Sequence, residues 1–332
     1  MAVAAGFAHT VAVAEDATVM TWGAGRRGQL GRTANSTAQH LPTGLHNLHE
    51  NIAMVAAGGQ HTGIVTESGD LLMCGAGDNG RLGLGDENDR NKPTLVMRAL
   101  FDGDAVLMVA CGDYHTAALT VGGVVYTFGR GDKGRLGHGN DEEDRLAPRR
   151  VRATGFDEVR VVMVAVGGGH TVTLSKEGHV YSWGCGGDGQ LGQNDRKDQG
   201  APRQVEAGWF GGERVVFVAA GRAHTVAVTA GGRLRTWGIG AYGQLGHGDT
   251  DTRMVPTLVG AGAFGGSAVV MAGCGLEQCG LGGYTQLGLN DEASRHVSER
   301  VGPGAFGGAR VVAAAAVWLH STARSGPGAT EG

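Results

Sequence analysis

The chain has 332 residues, 63 of them glycine, with 41% apolar content and a formal net charge of −4. Glycine near one residue in five, against about 7% in ordinary proteins, would suggest disorder, but the apolar fraction and a strict internal period argue for a folded array rich in tight turns. Lys and Arg are scattered, in pairs such as Arg149 and Arg150, and no apolar run of about 18 residues is free of charge or glycine, which excludes direct nucleic-acid binding and a membrane span.

The first informative stretch is "TWGAGRRGQLG" (21–31), where Gly23, Gly25 and Gly28 reproduce the spacing of a dinucleotide-binding fingerprint. That fingerprint works by seating a pyrophosphate on the N-terminus of the helix that follows, and here Gly31 interrupts any helix almost at once. The spacing also recurs from Gly75, Gly129, Gly184 and Gly238, each time followed by "QLG" or "RLG". A cofactor needs one such loop, so the repeated one reads as an architectural turn, and no cofactor is implied.

The leucine of that turn falls at Leu30, Leu82, Leu136, Leu191 and Leu245, spaced by 52 to 55 residues, and then at Leu287 after 42. The histidine of "HT" keeps the same period at His9, His61, His115, His170 and His224, and reappears at His320 in "HS". Within one unit the order is "RVVFVAAG" (214–221), "HTVAVT" (224–229), "RLRTWG" (233–238), then "GQLGHGD" and a polar loop before Pro256. Short Val- and Thr-rich runs bounded by glycine predict strands joined by tight turns. Runs such as "VVFVAA" are apolar at every position and predict burial of both faces, which a radial array of small sheets provides. The opening "MAVAAGFAHT" aligns with the strand at 55–62 and is read as the start of the first unit, not as a leader.

The consensus "VAAGxxHTVAVTxxGxVYTWGxGxxGQLGxGD" resembles the repeat of the regulator of chromosome condensation family, and the resemblance covers nearly the whole chain. It implies an all-β, seven-bladed β-propeller built from repeats of 52 to 55 residues. The expected units are 1–50, 51–105, 106–158, 159–213 and 214–266, a shortened 267–309 in which "MAGCGLEQCG" skips the second strand, and a fragment 310–323 before a disordered tail at 324–332. The sixth blade is thus expected to be degenerate and the seventh incomplete, because the chain is either part of a longer product or closes its ring imperfectly with an exposed edge.

Two functions follow from the resemblance. One is a non-enzymatic protein-interaction scaffold. The other is a guanine nucleotide exchange factor for a Ran-like small GTPase, although these regular units leave little room for the hairpin that acts as a wedge in the founding exchange factor, and no wedge residue carries over. A plant ultraviolet-B photoreceptor of the family uses tryptophans in repeated "GWRHT" segments; here those segments read "GFAHT", "GGQHT", "GDYHT", "GGGHT" and "GRAHT", and Trp318 of "VWLHS" stands alone, which argues against photoreception.

The charged loops after "LGxGD" should emerge on one side of the ring, and Asp89, Arg90, Asp144, Arg145, Asp251 and Arg253 are the expected partner-binding rim. No catalytic residue and no metal ligand is assigned. One histidine per blade cannot converge on one ion and is expected to make a repeated hydrogen bond, while His40, His46 and His49 with Glu50 fit no zinc spacing. Trp22, Trp183 and Trp237 read as blade-packing core. The five cysteines form no CxxC pair, and Cys74 and Cys279 take the position of Trp or Phe in other units, which fits a reducing compartment, the cytoplasm or nucleus.

Overall fold

The computed structural model describes residues 2–14, 17–32, 38–45, 48 and 50–260, together with two strands at 311–316 and 321–325. Twenty strands form five four-stranded antiparallel sheets, each paired in simple sequence order. The first sheet contains β1 (Ala2–Ala5), β2 (His9–Val13), β3 (Val19–Ala24) and β4 (Ala38–Gly44); the second contains β5 (Ile52–Ala57), β6 (His61–Thr66), β7 (Leu71–Gly75) and β8 (Arg90–Val96). The third is β9 (Val106–Cys111), β10 (His115–Thr120), β11 (Val125–Gly129) and β12 (Arg145–Arg150). The fourth is β13 (Val161–Val166), β14 (His170–Ser175), β15 (Val180–Gly184) and β16 (Gln199–Gln204), and the fifth β17 (Val215–Ala220), β18 (His224–Thr229), β19 (Leu234–Gly238) and β20 (Arg253–Leu258). A separate antiparallel pair joins β21 (Val311–Ala316) to β22 (Ser321–Ser325), and the expected sixth unit lies outside the described residues.

First strands of successive sheets lie against one another, β1 on β5, β5 on β9, β9 on β13 and β13 on β17, which makes them the inner strands of propeller blades. The second strand of blades two to five is buried at every position. The inner strand is not: Val216 is 41% exposed, and Leu107 and Val162 at equivalent positions are exposed too. Full burial of "VVFVAA" is therefore corrected, because an inner strand turns one row of side chains toward the axis of the ring instead of toward a neighbouring sheet.

The core lies between blades. Val65, Met73, Val109 and Phe128 pack across blades two and three; Leu119, Val164 and Trp183 across three and four; Val172, Val218 and Trp237 across four and five. Trp183 and Trp237 are fully buried as expected, whereas Trp22 is half-buried. The glycine that ends the third strand of blades two to five takes a positive φ, as at Gly75 (φ 113°), where a Cβ would stand 2.4 Å from the Gln60 carbonyl oxygen. The Gly-x-Gly-x-x-Gly segments close as turns, for example from the Gly80 N–H to the Gly77 carbonyl, and among the described residues no α-helix follows them.

Candidate partner-binding face

In a four-stranded meander the turns between strands one and two and the loops between strands three and four open on the same end of the blade. That end therefore gathers the "GxxHT" turns near the axis and the charged loops farther out. Its frame is a hydrogen-bonded ladder from blade to blade. His9 Nε2 meets Thr62 Oγ1 at 2.8 Å, His61 meets Thr116 at 2.9 Å, His115 meets Thr171 at 2.9 Å and His170 meets Thr225 at 3.0 Å. Each threonine donates its one hydroxyl proton to a carbonyl of the preceding blade, those of Gln29, Arg81, Arg135 and Gln190. The histidine must then be the donor through Nε2–H, which fixes its tautomer. Trp183 and Trp237 add an indole N–H to the Arg135 and Gln190 carbonyls. The repeated hydrogen bond expected of these histidines is thus present, while His224 Nε2 has no partner among the described residues, in keeping with a following unit that lacks an "HT".

Burial keeps these imidazoles neutral. It lowers His9 and His224 to about 4 and His170 to about 3, and His61 and His115 lie well below the ordinary histidine value for the same reason.

Above the ladder, Tyr114 is 41% exposed, and the guanidiniums of Arg81 and Arg130 lie 5.2 and 5.4 Å from its ring centre. These arginines come from blades two and three, so blade packing assembles the group. Arg81 is buried and tied to the Asp113 carbonyl and to Asp78, and Asp78 in turn accepts from Arg27 of blade one. Arg130 and Arg135 share Asp132. Beside Tyr114, burial raises the Asp113 carboxyl above its ordinary value against the pull of Arg222, whose Nε lies 3.9 Å away. Phe7, at 38% exposure, belongs to the same series of turns. Sequence reading passed over Tyr114, Arg81, Arg130 and Arg222; the available signal was that "GDYHT" places a large side chain where the other turns carry Ala, Gln or Gly.

The expected rim residues occupy the outer part of this face and are bonded within the protein. Asp89 accepts from the Gly77 N–H at 3.0 Å and from Arg27 at 2.6 Å, and Asp144 accepts from the Gly131 N–H at 2.8 Å and from Asn79 at 2.8 Å. Both therefore close their own turn and clip it to the preceding blade. Arg90, Arg145 and Arg253 are equivalent, each paired with the aspartate four residues earlier: Asp86, Asp141 and Asp249. Asp251 is not the counterpart of Asp89 and Asp144: counting back from the arginine gives Thr252, and Asp251 is 75% exposed beside Arg253. Of the four residues His40, His46, His49 and Glu50, His46 and His49 lie outside the described residues, while His40 and Glu50 are exposed. Cys74 and Cys111 are buried free thiols, Cys74 pushed up to about 12 by burial. Cys279 and Trp318 lie outside the described residues.

A family model described as the RCC1-like domain matches residues 1–226, and models of the regulator of chromosome condensation (RCC1) repeat match 215–244 and 231–279. Ultraviolet-B receptor UVR8 of Arabidopsis thaliana is 38% identical over 261 residues, covering 78% of this chain and 57% of the receptor. The crystal structure of human WBSCR16 superposes with a TM-score of 0.72 at 27% identity, over 78% of this chain and 67% of that one. Yeast RCC1 (Prp20), crystallised with Kap60 bound, gives 0.62 at 28% identity, over 72% and 57% of the two chains. The chain spans little more than half the length, or less, of the curated relatives it matches. Among the described residues no helix is long and apolar enough to cross a membrane.

Proposed function

The chain belongs to the regulator of chromosome condensation repeat family of β-propellers, and from that premise we propose that it is a non-enzymatic scaffold that takes a protein partner on the face carrying the "GxxHT" turns. The observation that carries this reading is Tyr114, an exposed aromatic ring held between two arginines on a rigid frame. Tyr and Arg are enriched at the energetically decisive positions of protein interfaces, where they bury large areas and keep polar reach. The outer charges of Asp89, Arg90, Asp144, Arg145, Asp251 and Arg253 would surround this centre as a polar rim that orients the partner. The partner would be met in the cytoplasm or nucleus, where buried thiols such as Cys74 and Cys111 stay reduced.

A second reading, nucleotide exchange on a Ran-like small GTPase, is favoured by the likeness to yeast RCC1. The face would then stabilise the nucleotide-free GTPase without covalent chemistry.

Release of fluorescent GDP from a panel of small GTPases, with and without the folded chain, separates the two. Acceleration at catalytic concentrations means exchange. For the scaffold, a photo-crosslinking residue at Tyr114 should capture a discrete protein, and one at Glu177, in the exposed turn between β14 and β15 at the other end of a blade, should not. Equal capture at both positions would refute the assignment of the face.

A further inference from the structure

The sequence reads Arg149 and Arg150 as a scattered pair, but the fold gathers them with Arg152 and His138 around an open cavity of about 280 Å³ at the outer edge of blade three. In the β11–β12 register Tyr126 faces Arg150 and Thr127 faces Arg149. None of the other four described blades carries two arginines at these positions.

Charge is poorly balanced here. Arg149 is held by Asp141 at 2.6 Å, and Asp141 also pairs with Arg145. Arg150 and Arg152 make no hydrogen bond or ion pair among the described residues, and Arg150 Nε is buried without a partner. Elsewhere on this acidic chain arginines such as Arg27, Arg90, Arg98 and Arg253 are neutralised by aspartates. His138 contributes shape more than charge. Its Nε2 lies 3.2 Å from Thr127 Oγ1, whose proton goes to the Leu136 carbonyl. Burial, with smaller contributions from Arg149 and Arg145, holds its imidazole down at about 4, so it adds no positive charge to the cavity.

We propose that this cavity binds a phosphoryl dianion, received by the guanidiniums of Arg149, Arg150 and Arg152. A planar guanidinium offers paired N–H donors that match two oxygens of a tetrahedral anion, and two negative charges answer the two arginines left without a counterion. A volume of about 280 Å³ leaves space for a phosphoryl group among these side chains. The same chemistry reaches the site as free phosphate or as a phosphorylated side chain, and it does not depend on which partner is taken at Tyr114.

The experiment is calorimetric titration of the whole chain, at fixed ionic strength near physiological, with inorganic phosphate, N-acetylphosphoserine amide and N-acetylserine amide. Saturable binding is expected for the two phosphorylated probes and not for the serine one. Tighter binding of phosphoserine marks a carried phosphoryl group as the source; tighter binding of phosphate marks the free anion. The double variant Arg150→Gln, Arg152→Gln should lose about tenfold or more in affinity, since each removes charged hydrogen bonds to the anion. Arg152→Gln alone, at an exposed residue with no bond to lose, guards against misfolding and should weaken binding several-fold. Absence of saturation by either phosphorylated probe, or variants that bind within twofold of the parent, would overturn the proposal.

Discussion

His61 Nε2 lies 2.9 Å from Thr116 Oγ1, and this one contact joins blade two to blade three through groups that are completely buried in both. Because the threonine proton is committed to the Arg81 carbonyl, the imidazole must carry its proton at Nε2; burial disfavours a second proton, and the Nδ1 lone pair is buried without a partner. Such a residue makes stability depend on pH. The folded values, about 4 for His9 and His224 and about 3 for His170, lie below the unfolded 6.5. Below pH 6.5 the unfolded chain therefore binds more protons than the folded one, so stability is full above that pH and falls as acid is added. Each histidine contributes a slope of about 1.4 kcal/mol per pH unit between its two values. Asp86, Asp89 and Asp249, lowered by hydrogen bonds, lose their contribution only at more acid pH. Urea midpoints at pH 7.5, 6.5 and 5.5 should fall steeply over the last step; a flat profile would contradict neutral buried histidines.

Space, not conformational freedom, fixes Gly58. A Cβ there would stand 2.4 Å from the Gly112 carbonyl oxygen and 2.5 Å from His61 Cε1, so the inner strands could no longer approach. Gly58→Ala should destabilise by roughly 1–3 kcal/mol through overpacking. Gly187, with nothing near its missing Cβ, is the matched control. Gly187→Ala should shift the urea midpoint little, and equal shifts in the two variants would show that the inner strands have room for a methyl group between them.

The blades were legible because their signals are local and periodic: "HT", "LG" and the Trp-, Phe- or Cys-Gly pair mark a strand end or turn in each of the first five units. What escaped was relational. Nothing in "DTDTR" announces that its arginine sets the register and leaves Asp251 one position away from the role of Asp89. Nor could Tyr114, Arg81 and Arg130 be grouped from their sequence positions, since they meet only when blade two packs on blade three. The exposure of Val216 escaped for a similar reason, as apolar composition does not tell an inner strand from a doubly covered one.

That register difference separates two aspartates that look alike in sequence. Asp89→Ala removes two bonds from Arg27 and one from the Gly77 N–H, opening the turn and its clip to blade one. Part of this network is exposed and screened, so the expected loss is about 1–2 kcal/mol. Asp251→Ala should stay within about 0.5 kcal/mol, as surface substitutions usually do. Denaturant unfolding of both variants checks this, and a larger loss for Asp251→Ala would mean that Asp251, not Thr252, holds the place of Asp89 in its blade.

Tyr114 provides the complementary case, a residue whose loss should touch binding and spare the fold. Its ring is largely outside the interblade core, while Arg81 keeps its bonds to the Asp78 and Asp113 carbonyls when the ring is removed. Tyr114→Ala should therefore leave the urea midpoint within about 0.5 kcal/mol of the parent. Toward a partner captured through this face, the same change should cost about 2 kcal/mol, or some thirtyfold in Kd, as central aromatic positions do. Tyr114→Phe keeps the ring and its two guanidinium contacts and should retain most of the affinity. Binding isotherms for the three proteins decide the matter. If Tyr114→Ala binds as tightly as the parent, the centre of the interface lies elsewhere on the ring, and the outer loops that carry Arg90, Arg145 and Arg253 become the next place to search.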